Sequence, residues 1–160
     1  MNIVALADCP FVSWRNGGGR TRELLAWPTA GDWLVRVSVA EIEASGPFSA
    51  FAGIDRCFAV LEGAGVELAL PGATVRLRPG DPAACFAGES APACDLLAGP
   101  TRDLNLMVRR DAGRASMQRD GPRTGRWRGW YADGVLAWTD TADEPLPAHG
   151  PGWWLTLEPR

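Results

Sequence analysis

The sequence predicts an all-β protein, and three observations carry that expectation. No long segment keeps apolar residues at the i, i+3, i+4 spacing of an amphipathic helix. Short alternating runs recur along the whole chain instead. Turn chemistry bounds them, as in EGAG, LPGA, RPGD, ADG and HGPG. In order, a strand at 21–26 follows the turn dipeptide Asn16-Gly17, and WLVRVSVAEI supplies one at 33–42. EGAG separates strands at 57–62 and 66–70, LPGA separates the latter from 73–77, and RPGD precedes 84–86. Strands at 95–98, 104–109 and 116–119 follow; ADG joins 127–131 to 135–139, and HGPG introduces 153–157. Residues 42–44 and 48–51 read as single helical turns. So many short strands suggest a sandwich or a closed antiparallel barrel.

At 160 residues the chain is read as one compact domain, 1–160, able to bury about two-thirds of its unfolded surface. A formal charge of -3, from 16 arginines against 19 acidic residues, supplies no bulk field for a polyanion, which argues against nucleic acid. No apolar run reaches the roughly 18 residues of a membrane span. LADC near the N-terminus lacks the basic n-region of an export signal. Cys9, Cys57, Cys85 and Cys94 show no C-x-x-C spacing and read as buried thiols of a cytoplasmic protein. The stretch 111–126, rich in Arg, Gly and Asp, reads as an exposed connection, and 143–152 as a Pro-rich loop. Five of the eight tryptophans lie beyond Arg126, most of them expected in the core.

Alternation assigns side chains to faces. In WLVRVSVAEI one face carries Trp33, Val35, Val37 and Val39, the other Leu34, Arg36, Ser38, Ala40 and Ile42. In DLNLMVRR, Asp103, Asn105, Met107 and Arg109 oppose Leu104, Leu106, Val108 and Arg110. Two readings stay open: a solvated polar face, or a barrel interior. An interior holding Arg36 and Arg109 needs counter-charge, because burying an unpaired guanidinium costs several kcal/mol. Asp103 can answer one arginine and a bound anion the other. Charge-assisted hydrogen bonds, about 1.5–3 kcal/mol each, would then favour a carboxylated ligand.

The segment WRNGGGRTREL poses a related choice. It matches neither G-x-x-x-x-G-K-[ST] nor a G-x-G-x-x-G that opens a helix, so a nucleotide phosphate loop is not expected. Asn16-Gly17 is a strong hairpin dipeptide. Alternatively, Gly17, Gly18 and Gly19 let the chain pass close to a ligand, with Asn16 and Thr21 at the mouth of a pocket.

WRNGGGRTREL, WLVRVSVAEI, GPFSAFAGIDRCFAVLEGAG, FAGE and GPTRDLNLMVRR together resemble the HutD/Ves family of cupin-like proteins, in family order from about Trp14 to Arg110. The family usually has Pro-Trp-Lys-Asn before its glycines; Ser13 and Arg15 stand around Trp14 here. The resemblance implies an RmlC-like antiparallel barrel in a bicupin-like arrangement of two small barrels. It also implies a regulator linked to bacterial histidine utilisation, with urocanate and formylglutamate as candidate ligands and no cofactor. Carried over residue by residue, it places Asn16, Gly17, Gly18, Gly19, Thr21, Arg36, Ser38, Ser49, Arg56, Asp103, Asn105, Met107 and Arg109 near a ligand pocket. Phe48 and Phe51 read as core plugs, and Asp55-Arg56 as a turn-fixing ion pair. Cupin metal sites use two or three histidines and a glutamate. His149, the sole histidine, lies in a Pro/Gly loop, so no metal is expected.

Three functions compete. The first is a metal-free cytoplasmic binder of a small carboxylated metabolite, held by Arg36 or Arg109 and selected by Asn105 and Thr21. The second is an acid/base enzyme using Asp103 or Asp55, opposed by the tendency of neighbouring arginines to depress an aspartate pKa. The third is a docking module presenting Trp127, Arg128 and Trp130 to a protein partner. Assembly with a second copy of the chain stays open.

Overall fold

The computed structural model describes residues 1–121 and 124–160. Its strands are β1 Asn2–Ala5, β2 Phe11–Ser13, β3 Gly19–Trp27, β4 Val35–Ile42, β5 Gly46–Pro47, β6 Ile54–Gly63, β7 Val66–Leu70, β8 Ala73–Leu77, β9 Ala84–Ala87, β10 Ala93–Leu96, β11 Thr101–Arg109, β12 Arg114–Gln118, β13 Trp127–Ala132, β14 Val135–Thr139 and β15 Trp153–Glu158. The fold is all-β, as the alternation predicts. No helix of the described residues is long and apolar enough to cross a membrane. Residues 122 and 123 of the expected connection lie outside the described residues, and β12 occupies part of the remainder.

The expected helical turns at 42–44 and 48–51 do not form. Tertiary hydrogen bonds capture the second: the Phe48 N–H donates to the Pro92 carbonyl, and the Phe51 N–H to that of Gly88. Single 3-10 turns occur instead at Leu6–Asp8 and Gly88–Ser90. The short strands β1, β2 and β5 escape sequence reading because a two- to four-residue run has no period; β14, β3 and β10 pair with them.

A central six-stranded sheet has the order β2-β3-β4-β11-β6-β9. A four-stranded sheet, β5-β10-β7-β8, and a five-stranded sheet, β1-β14-β13-β15-β12, accompany it. One apolar cluster joins Val35, Val37, Val39, Leu104, Leu106 and Val108 of the central sheet to Trp127, Tyr131, Leu136, Leu155 and Leu157 of the five-stranded sheet. The other joins Ile42, Phe58 and Val60 to Val66, Leu68, Leu77 and Cys94 of the four-stranded sheet. The two cores thus occupy opposite faces of one shared sheet. Its first face follows the predicted valines and leucines residue by residue, because neighbouring side chains in a strand point to opposite faces.

Two expectations are corrected. Cys57 and Cys85 are not free thiols: they stand opposite each other on β6 and β9 and form a disulfide. Cys9 and Cys94 are free. Nor do Trp127, Arg128 and Trp130 form an exposed docking patch, with 0%, 7% and 6% exposure. Trp127 enters the core, while the segment after β14 covers the other face. Arg128 donates to the Thr141 and Glu144 carbonyls there, and Gly152 lies against the Trp130 ring.

A buried polar row between the six-stranded and four-stranded sheets

The central sheet turns a polar row toward the four-stranded sheet. Pairing across β3, β4, β11 and β6 aligns Glu23 with Ser38, Ser38 with Asn105 and Asn105 with Phe58. The next row on that face aligns Arg36, Met107, Arg56 and Phe86. The polar row is therefore an interior along β11 and β6, and reaches solvent at Glu23 on β3. Asp103 is 0% exposed, Asn105 5% and Arg56 6%.

These three groups form a chain. Arg56 Nη2 donates to Asn105 Oδ1 at 3.0 Å, and Asn105 Nδ2 donates to Asp103 Oδ1. Arg56 Nε and Asp103 Oδ2 are buried without a hydrogen-bond partner. Among the described residues no carboxylate lies within ion-pair distance of Arg56. Its guanidinium carbon lies 4.9 Å from the Phe48 ring centre, 5.6 Å from Phe51 and 5.4 Å from Phe86, a cation–π cage. Phe48 also packs on Phe58 with ring centres 5.5 Å apart, so the expected core plugs double as walls around the arginine.

Burial controls the charges here. Desolvation lowers the Arg56 pKa to about 10, with Asp103 opposing and Arg36 reinforcing the shift. Desolvation raises the Asp103 carboxyl well above the ordinary aspartate value, and the pull of Arg56 and Asn105 does not reverse it. This corrects the expectation that arginines would depress Asp103. Removing a carboxylate from water outweighs attraction from a guanidinium that reaches it only through an amide.

The other predicted site residues divide. Thr21 accepts from Trp14 Nε1 at 2.7 Å, and Ser38 is buried beside Asn105. Arg36 is answered by Glu23, with Nε to Oε1 at 2.8 Å. Met107 is buried between Arg36 and Arg56 in the pairing. Arg109 sits at the end of β11 and pairs with exposed Asp32 at 2.9 Å, outside the chain of Arg56, Asn105 and Asp103. Ser49 is exposed. Asp55 does not pair with Arg56: adjacent strand residues face opposite ways, and Asp55 pairs with Arg110 at 2.9 Å.

The glycine segment is the β2–β3 hairpin turn. Asn16 Oδ1 accepts the Gly18 N–H at 2.8 Å, and the Gly17 N–H donates to the Trp14 carbonyl. Gly17 has φ 73°, which favours glycine, and a Cβ on Gly19 would lie 2.4 Å from the Glu41 carbonyl oxygen. The close approach that Gly19 permits is therefore to β4 and the Trp14 ring. Nearby Glu41 accepts from Arg20 and Arg102; partial burial raises its pKa, but these bonds outweigh it and hold the carboxylate below its usual value.

Sequence reading missed Glu23 as the partner of Arg36 and Phe86 as a cage wall. Both lie in motifs already singled out, TRE and FAGE, but a motif does not say which neighbour its residues meet. Two cavities lie away from the row. One, about 680 Å³, opens over Arg119, Arg128, Trp130 and Trp154; the other, about 560 Å³, opens beside Arg109, Arg110 and Arg160. Among the described residues no three His, Cys, Asp or Glu side chains gather as metal ligands.

Fold and site together define a cupin-like all-β protein whose sandwich encloses a guanidinium, an amide and a carboxyl. The cupin domain of Cnp3 from Schizosaccharomyces pombe shares this fold, with a TM-score of 0.52 at 13% identity over 66% of this chain and 72% of that one. The chain belongs to the HutD family, whose model matches residues 6–138. It is 41% identical over 123 residues to an uncharacterised 21.2 kDa protein of the hutC 3′ region of Pseudomonas putida, covering 74% of this chain but 63% of that one. It is 34% identical to Protein Ves of Cronobacter sakazakii, over 96% of this chain and 87% of the relative. The structure of HutD from Pseudomonas fluorescens SBW25, in a formate condition, superposes with a TM-score of 0.85 at 26% identity, covering 99% and 98% of the two chains.

Proposed function

We propose that this protein is a metal-free, cytoplasmic binder of a small carboxylated metabolite and a regulator linked to histidine utilisation, with Arg56 as the group that receives the carboxylate. One observation carries this reading: Arg56 is 6% exposed, its Nε has no partner, and its hydrogen-bonded neighbour is a neutral amide. A buried guanidinium left this way is costly, and an incoming carboxylate offsets that cost through charge-assisted hydrogen bonds. Arg36, answered by Glu23, and Arg109, answered by Asp32, have less need of an anion. The encoding of a relative in a hutC region supports the link to histidine utilisation.

Thermal unfolding of the protein, both air-oxidised and reduced, with urocanate, formylglutamate, histidine, glutamate and formate tests the reading. A ligand at 100 times its Kd stabilises by about 2.7 kcal/mol, or about 5–11 °C for a chain of this size. One carboxylate is expected to give that shift, and Arg56→Met to abolish it. No shift with any of them, or an equal shift in the variant, would overturn the reading.

The raised pKa of Asp103 favours a second reading, acid/base chemistry on the same carboxylate, since a general base works best with a pKa near the operating pH. Conversion of urocanate or formylglutamate by the purified protein, lost in Asp103→Asn, would establish it. Absence of product over prolonged incubation would remove it.

A further inference from the structure

The disulfide lies one residue from the binding row, and its placement ties the strand that roofs Arg56 to the strand that carries it. Arg56 and Cys57 are consecutive on β6; Cys85 and Phe86 are consecutive on β9; Arg56 pairs with Phe86 and Cys57 with Cys85. Phe86 thus closes the cage on one face of the sheet while the sulfur bridge clamps the same two strands on the other. β9 is the edge strand of the central sheet, only Ala84–Ala87 long, and pairs with β6 alone. Beyond it, the chain is anchored without the bridge: Glu89 accepts from the Gly53 N–H and pairs with Arg110, and the Gly88 carbonyl accepts from Phe51. At its start, the bridge is the one covalent tie.

We infer that the Cys57–Cys85 disulfide is a redox latch on the Arg56 site: oxidised, it holds Phe86 over the guanidinium; reduced, it frees the start of β9 and admits the carboxylate. The inference rests on Arg56 as the binding group. Cys85 is exposed whereas Cys57 is 0% exposed, so one sulfur meets a reductant and the other stays inside. The reductant is a dithiol. One of its thiolates attacks Cys85 Sγ, the S–S bond breaks, and Cys57 Sγ leaves with the bonding pair and takes a proton. The second thiol of the reductant then displaces Cys85 Sγ, which is likewise protonated; the reductant departs as a disulfide, having given two electrons. The two free cysteines are poor participants. Burial pushes the Cys94 thiol up to about 12, and burial together with Asp8 raises that of Cys9, so neither supplies much thiolate near neutral pH.

The test compares full-length protein oxidised in air with protein held in dithiothreitol. Each form is titrated calorimetrically with formylglutamate and followed by hydrogen–deuterium exchange across residues 84–87. Reduction is expected to lower the Kd at least tenfold and to speed exchange in that segment. Cys85→Ser, or Cys85→Ala if the serine protein folds poorly, should match the reduced form in both buffers, while Cys94→Ser should still respond. Binding of equal strength in both forms overturns the latch and leaves Arg56 as the binding group. If neither form binds, the binding reading fails, and exchange still decides the latch: an unchanged rate at 84–87 overturns it, a faster one supports the release of β9. Alkylation of Cys57 and Cys85 in the air-oxidised protein also overturns it.

Discussion

The two faces of the central sheet are made by the same strands and differ in almost everything else. On the face toward the five-stranded sheet, β4 and β11 present Val35, Val37, Val39, Leu104, Leu106 and Val108, nearly all of them fully buried. On the face toward the four-stranded sheet, the intervening residues of those strands are Arg36, Ser38, Asp103, Asn105 and Met107, and β6 adds Arg56. The first face removes apolar surface from water at about 25 cal/mol per Å². The second keeps a guanidinium nitrogen and a carboxyl oxygen dry and unpaired, a cost rather than a gain. The first face is an apolar core; the second joins its own apolar cluster of Ile42, Phe58 and Val60 to polar groups left without partners.

That division can be broken by substitution. Leu106→Ala should show the largest effect: removing a fully buried side chain from the apolar face is expected to cost about 2–5 kcal/mol, read as a lower urea midpoint. Carboxylate affinity at a temperature where the variant stays folded should barely change; parallel losses of both would merge the two faces. Arg56→Met should do the reverse. A loss of about 100-fold in affinity, equivalent to about 2.7 kcal/mol, is expected with little loss of stability, because an unpaired buried charge is removed. A large drop in the urea midpoint of that variant would make Arg56 a structural residue instead.

Asp103→Asn sharpens the comparison through pH. The folded pKa of Asp103 is raised above its unfolded value, so its stabilising contribution is fully present below the unfolded pKa and is lost as pH rises toward the folded one. Asparagine has no proton to lose. The urea midpoint of the variant relative to the parent should therefore improve as pH rises from about 4, the unfolded aspartate value. Parallel pH curves would show that Asp103 titrates alike in both states. The smallest effect belongs to the rim: Asp32→Asn removes the exposed partner of Arg109 and should change stability by about 0–1 kcal/mol, with carboxylate affinity unaltered. A marked change in affinity would return Arg109 to the site.

Much of this contrast was legible in the sequence. A period of two is a local property, so DLNLMVRR alone separates Leu104, Leu106 and Val108 from Asp103, Asn105 and Met107 before any partner strand is known. Turn dipeptides are equally local, which is why the hairpins around LPGA and ADG stand where their residues predict, while the turn at EGAG carries the chain from β6 into β7 of the four-stranded sheet. Locality also explains the failures. That residues 48–51 would not coil follows only from the carbonyls of Pro92 and Gly88, about 40 residues away in sequence.

By itself, then, the sequence determined the all-β class, the sorting of side chains between faces and the positions of the tight turns, because each depends on residues within a few positions of one another. The tertiary structure alone decided that the polar face is an interior, that Arg56 is its unanswered arginine while Glu23 and Asp32 satisfy Arg36 and Arg109, and that Cys57 meets Cys85. Those outcomes turn on which strands become neighbours and how deep each residue lies from the sheet edge. Depth sets the dielectric around a charge, and pairing sets its partner; neither is a property of a residue's near neighbours in the chain.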